Sequence, residues 1–252
     1  MSTNYLIYPC KTMRITQSYT GTTSHKPHTT GNPKDYPWDE GCSDTGRGYC
    51  YCPCDKMKIK RIYGVGGNGT NTLWLESTSK VYFADGSSGY FTMLITHPND
   101  DDLKKLKPGQ TFKRKEKICR EGNDGATAYH FHFSGGKGKF TGNGWTRNSY
   151  GKYVLTTTGG ADKPEDLFFI DPDFTKVVED KGLKFKELPA YELGTYKVNT
   201  AVLNVRTGPG TSFSKKGALV KGKKLDIVEI QDTWGRYAKN RWVCLDYCKK
   251  SK

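Results

Sequence analysis

Hydrophobic and polar positions alternate along most of this chain in short runs. Segments 58–65, 72–77, 80–84, 90–97, 128–134 and 152–157 are rich in β-branched and aromatic residues and are separated by Gly, Asn or Asp, a pattern that predicts strands joined by turns. Asp85-Gly86 marks a hairpin. One helix is predicted, at 100–106, where Asn99 or Asp100 supplies a cap and Leu103 and Leu106 lie three apart. Around 173–193 the alternation dissolves into Lys, Glu, Asp and a Pro, which places a linker at 176–193 between a first domain, 1–175, and a second, 194–252. In the second, strand-like pieces at 196–205, 216–220, 225–229 and 241–245 are punctuated by Thr207-Gly208-Pro209-Gly210 and Lys221-Gly222-Lys223. That turn density suits a small barrel. The predicted class is all-β and mainly antiparallel: a β-sheet domain followed by a small β-barrel.

Composition supports this class. Hydrophobic residues make up 35% of the 252, but 13% aromatics and 29 glycines supply core bulk together with turn chemistry, which disfavours a helical bundle. No apolar run approaches the roughly 20 residues that cross a bilayer, so no membrane span is expected. The opening Met1-Ser2-Thr3-Asn4-Tyr5-Leu6-Ile7-Tyr8-Pro9-Cys10 has neither a basic start nor an apolar run, so the expectation is synthesis in the cytoplasm without a signal peptide. The eight cysteines are then expected to be reduced. Cys50, Cys52 and Cys54 form a Cys-x-Cys-x-Cys run without a second ligand pair at finger-like spacing, and are expected as loop thiols rather than a metal knot; Cys244 and Cys248 are placed to bridge only if exported.

Lys and Arg number 40 against 26 Asp and Glu, a net +14 that attracts polyanions. Residues 194–252 hold 13 of the cations against 4 acids, net +9, so the second domain is the more basic. Nucleic acid fits the charge, but no groove-reading helix or base-stacking motif accompanies it. An anionic cell wall fits as well.

Candidate chemistry is confined to the first domain, because all five histidines, His25, His28, His97, His130 and His132, precede residue 133. In Ala128-Tyr129-His130-Phe131-His132-Phe133-Ser134 the period of a strand puts His130 and His132 on one face and Tyr129, Phe131 and Phe133 on the other. Two imidazoles then project from a strand anchored by aromatics.

Two stretches carry a family resemblance. Lys107-Pro108-Gly109-Gln110, Lys117-Ile118, Glu121-Gly122-Asn123-Asp124-Gly125 and the His-x-His, with Thr96-His97-Pro98 ending an earlier strand, resemble the lysostaphin/LytM-type zinc peptidases that cut peptidoglycan peptides. The resemblance implies Zn²⁺, with His132 as a metal ligand and His97 and His130 as catalytic residues. The family's His-x-x-x-Asp maps onto Asp35 and Asp39, an acid in place of an imidazole. His25 or His28 is an alternative third ligand, and Asp44 a spare carboxylate. Two carboxylates would offset the charge of the metal and acidify its water less. The second resemblance is carried by Leu203-Asn204-Val205-Arg206-Thr207-Gly208-Pro209-Gly210, Trp234-Gly235 and Trp242-Val243. It points to the bacterial SH3-like domains that bind peptidoglycan, and implies Trp234, Trp242 and Tyr247 as wall-binding residues.

Together these resemblances imply a monomeric endolysin-like enzyme, of phage or prophage type, released onto the wall and cleaving a peptide bond of bacterial peptidoglycan. Two alternatives stand beside it. One is a non-enzymatic wall binder, favoured by the missing histidine at Asp35; the other is a Cys-His peptidase or amidase with Cys42 as nucleophile.

Overall fold

A computed structural model describes residues 4–21, 23–42, 47–67 and 69–251, so Asp44 lies outside the described residues. Asn4–Leu188 forms one compact unit, and the chain from Pro189 onward forms another. The fold is all-β and mainly antiparallel, with three short α-helices and one 3-10 turn, Leu245–Tyr247, among the described residues.

The first unit begins with β1 (Thr12–Gln17), α1 (Lys26–Thr30), β2 (Trp38–Glu40) and β3 (Tyr49–Tyr51). A meander follows: β4 (Lys56–Tyr63), β5 (Thr72–Ser77), the hairpin β6 (Val81–Tyr82) and β7 (Ser88–Gly89), and β8 (Phe91–Thr96). Then come α2 (Asp100–Leu103), β9 (Thr111–Lys113), β10 (Lys117–Arg120), β11 (Phe131–Lys137), and a hairpin of β12 (Phe140–Arg147) and β13 (Tyr153–Thr157). The unit closes with α3 (Pro164–Leu167), β14 (Phe169–Ile170), β15 (Lys176–Glu179) and β16 (Lys186–Glu187). An eight-stranded sheet in the order β15-β1-β2-β11-β8-β5-β4-β9 is its frame.

Period-2 alternation sorts side chains between the two faces of that sheet. Leu73, Leu75, Phe91, Met93, Ile95, Phe131 and Phe133 enter the main core with Trp38 and Phe168. The intervening positions, Trp74 and Leu94, point the other way and are covered by Leu155, Phe140 and Trp145 of the β12–β13 hairpin. Thr72, Thr96, His132 and Ser134 share the parity of Trp74 and Leu94 on this second face, where they line a groove with Trp145 and Tyr153. The hairpin is thus both a lid on a small core and a wall of the groove.

Several sequence expectations shift. Residues 176–188 belong to the first unit, with β15 paired in parallel to β1 at Thr12↔Lys176. The predicted helix is shorter, α2, with Asn99 as the cap that accepts from the Asp101 amide. Tyr129 precedes β11 and is 41% exposed rather than in the core, with the Arg47 guanidinium over its ring. Cys50 lies in β3, whereas Cys52 and Cys54 lie in the loop between β3 and β4 as expected, and all three thiols are buried in the core.

The second unit contains β17 (Gly194–Val198), β18 (Val202–Arg206), β19 (Lys215–Val220), β20 (Lys224–Ile227), β21 (Glu229–Gln231), β22 (Trp234–Ala238), β23 (Arg241–Cys244) and β24 (Cys248–Lys250). Two antiparallel sheets, β20-β17-β24 and β19-β18-β23-β22-β21, enclose a core of Tyr196, Val198, Leu203, Val205, Leu225, Ile227, Val243 and Leu245.

Candidate active site

Strand register assembles the site. β2 and β11 pair so that Asp39 lies directly opposite His132, and His132 Nδ1 stands 2.9 Å from Asp39 Oδ1. His25 reaches the same oxygen from the N-cap of α1, with Nε2 at 3.3 Å. Pro27 in the first turn of α1 is pre-set for a helix start and fixes this approach. Ligand atoms of His25, Asp39 and His132 all lie within 4.8 Å of one another. His130 Nε2 is 4.0 Å from Asp39 Oδ1, and the rings of His97 and His130 are 4.7 Å apart.

Backbone carbonyls set the tautomers, because a carbonyl only accepts. His25 Nδ1 donates to Ser18 O at 3.2 Å, His97 Nδ1 to Asp124 O at 2.6 Å, and His130 Nδ1 to Ala128 O at 2.9 Å. Each Nε2 is left to act as base or ligand. His25 Nε2 faces the Asp39 carboxylate oxygen at 3.3 Å, a pairing that a proton or a metal ion between the two atoms would bridge. Tetrahedral zinc with bonds of about 2.0–2.2 Å separates neighbouring ligand atoms by about 3.4 Å. The 3.3 Å spacing of His25 and Asp39 is close to that, the 2.9 Å between His132 and Asp39 is a shorter, hydrogen-bond length, and two imidazoles with one carboxylate are a donor set zinc accepts.

Burial disfavours the charge of Asp39, yet hydrogen bonds from His132 and His25 overcome this and hold its carboxyl well below the ordinary carboxylate range. Burial lowers His97 to about 4, so its imidazole is neutral at physiological pH. His97 directly follows β8 with φ +66°, a left-handed conformation that costs a non-glycine residue on the order of 1 kcal/mol or more. The chain holds it there by the His97 amide bond to Asn71 O and by the Asp124 contact. Gly122 permits this close approach: a Cβ there would meet His97 O at 2.7 Å.

Asp35 does not join the cluster of three. It is buried beneath the hairpin, where Oδ2 accepts from Ser134 Oγ at 2.9 Å and from the Leu155 amide at 3.0 Å, and Oδ1 accepts from the Tyr36 amide. Its carboxylate ties β11 to β13, and it is His25 that groups with Asp39 and His132 in the cluster that could hold an ion. One carboxylate rather than two then belongs to the cluster. His28 follows His25 by one turn, with its ring 5.9 Å from His132. Burial first, then the neighbouring His132 and His25, lower its pKa to about 4, and its buried Nδ1 has no partner.

No protein-family model and no curated protein matches the chain. Among solved structures it is similar to lysostaphin at 17% identity, over 96% of this chain and 91% of that one, with a TM-score of 0.38. A structure of the antimicrobial peptidase lysostaphin from Staphylococcus simulans is similar at 16% identity, over 97% and 92%, with a TM-score of 0.33. A zinc-containing peptidase from Vibrio cholerae is similar at 19% identity, over 53% of this chain and 37% of that one, with a TM-score of 0.32.

Cys42 is unsuited to thiol catalysis. It is 5% exposed, with Cys10 Sγ 2.9 Å away, and burial pushes its thiol well above the ordinary value. In the second unit, Trp242 is 7% exposed and serves the interior, Trp234 is half-buried, and Tyr247 is 54% exposed. Of these three residues, Tyr247 is the one most open to a ligand.

Proposed function

We propose that the chain is a zinc-dependent peptidase that hydrolyses a peptide amide of bacterial peptidoglycan, held on the anionic wall by its basic C-terminal unit. The convergence of His25, Asp39 and His132 on one point, with His97 and His130 beside it, carries the proposal. It is consistent with the sequence resemblance to lysostaphin/LytM-type peptidases, and the second unit with the SH3-like wall-binding resemblance. On the same resemblance, the enzyme is of the endolysin kind, made in the cytoplasm and released onto the wall.

His25, Asp39 and His132 would hold the metal, which supplies Lewis acidity toward the amide carbonyl and toward a water whose pKa falls to about 7 in such sites. His130 Nε2 stands 4.0 Å from Asp39 Oδ1, with the His97 ring beside it. A neutral imidazole there takes a proton from the attacking water and returns one to the leaving amine, and its protonated form stabilises the oxyanion. The Nδ1 bonds to Ala128 O and Asp124 O keep both rings oriented through that exchange.

His132→Ala is expected to remove zinc binding, measured by metal analysis of the purified protein, and to abolish lysis of purified cell walls. A variant that keeps both would remove His132 from the site. Loss of activity in a chelator together with insensitivity to thiol alkylation is the accompanying expectation, and alkylation sensitivity would return Cys42 to consideration.

A further inference from the structure

The groove beside the histidines, about 540 Å³ in volume, runs from His132 and His97 to the β12–β13 hairpin, where Lys152 and Tyr153 line it. Hairpin residues 140–157 contain no Asp or Glu. Lys152 is exposed and makes no ion pair among the described residues. Arg147 on the same hairpin donates to the Tyr153 hydroxyl at 2.9 Å and forms no ion pair among the described residues. Asp35 is the sole carboxylate lining the groove among the described residues, and both of its oxygens already accept hydrogen bonds within the fold. Among the described residues the groove is therefore lined by a cation and by no accessible anion.

The backbone that carries Lys152 is held in place. Asn148 is 6% exposed; its Oδ1 accepts from the amides of Tyr150 and Lys152 at 3.0 Å, and its Nδ2 donates to Pro27 O at 2.8 Å. Gly31 makes room for this tether, since a Cβ there would lie 2.1 Å from Asn148 Nδ2. The turn bearing the lysine is thus tied to α1, the element whose N-cap is His25. Opposite the hairpin, Thr72, Thr96 and Ser134 give the groove a floor of small side chains, of which Thr96 is the most exposed.

We propose that Lys152 is a specificity residue, selecting peptides that carry a free carboxylate near the amide to be cut over those in which that carboxylate is amidated. The proposal rests on the peptidase reading above for what the groove holds. An exposed ammonium contributes modestly to binding, so the expected preference is about fivefold at low salt, eroded as salt rises.

The test uses soluble cross-linked peptide fragments of bacterial peptidoglycan and the same fragments with their free carboxylates converted to carboxamides. With the zinc-loaded full chain, kcat/KM is expected to favour the carboxylate form about fivefold, mostly through KM. Lys152→Met is expected to bring the ratio near one, and Lys152→Arg to restore it. Equilibrium binding of both fragment sets to the full chain carrying His130→Ala gives the same ratio without turnover. Cleavage of both sets at equal kcat/KM by the wild type, or a ratio unchanged in Lys152→Met, overturns the role of Lys152 while leaving the peptidase standing. Absence of cleavage with a binding preference that disappears in Lys152→Met overturns the peptidase while leaving the recognition standing. Neither cleavage nor a binding preference overturns both.

Discussion

At Asp39 one carboxylate oxygen faces imidazole nitrogens of two histidines at 2.9 and 3.3 Å, and a third stands 4.0 Å away. This crowding makes sense when a cation sits among them, and it separates residues that bind the ion from residues that only surround it. His25→Ala is expected to lose stoichiometric zinc, whereas Asp35→Asn is expected to retain it and lose about 1–3 kcal/mol of stability, because an amide nitrogen would then face one of the donors Ser134, Leu155 or Tyr36. Metal analysis and urea unfolding of the two variants check this; zinc loss in Asp35→Asn with zinc retained in His25→Ala would reverse the assignment. The His-x-His pair was legible because a strand has a fixed two-residue period. His25 was less so: it reaches the site from the turn that opens α1, and Asp39 is fourteen positions further along, a separation no local periodicity records. Pro27 was the available signal for that turn.

At the level of elements, β2 is three residues long and buried throughout, too short for alternation to reveal, yet it carries Asp39 on one side and Glu40 on the other. Glu40 accepts from the Tyr8 hydroxyl and the Arg14 amide, both at 2.5 Å, and burial raises its pKa to about 8. A group whose folded pKa lies above its unfolded value stabilises most at low pH and loses that contribution as pH rises through the folded value. Glu40 therefore withdraws stability between about 4.5 and 8. His28 and His97, lowered to about 4, act in the opposite sense and only below about 6.5. Between pH 6.5 and 8 the metal-free protein is thus expected to lose on the order of 1 kcal/mol per pH unit, and Glu40→Gln to flatten that slope. Urea unfolding at the two pH values measures it, and a slope identical in the variant would refute the assignment. Strands with clean alternation, such as β5 and β8, were found within a residue of their ends. By contrast β1, β2 and β15 were missed, because their pairing depends on partners distant in sequence; the lysine and glutamate content of β15 reads as linker until β1 is present to pair with it.

Across the whole molecule the charge is unequally shared, with net +9 on residues 194–252 and +5 on the much longer remainder. In the C-terminal unit Arg236 pairs with Glu229 and Lys250 with Glu192, but Lys215, Lys216, Lys221, Lys223 and Lys224 are exposed on and just beyond β19, an edge strand. Edge lysines discourage strand-to-strand association, and five of them close together also form a field that reaches about 10 Å at 0.1 M salt and about 3 Å at 1 M. If that field brings the protein to an anionic wall, adsorption of the full chain to purified walls should weaken steeply between 0.05 and 0.5 M NaCl. The triple change Lys215→Glu, Lys216→Glu and Lys221→Glu, which takes the unit from +9 to +3, should weaken adsorption at low salt and flatten its salt dependence. Adsorption isotherms of both proteins at both salts decide it. A wild-type isotherm indifferent to salt would shift wall recognition from the lysines to uncharged contacts, with the exposed ring of Tyr247 the first residue to change.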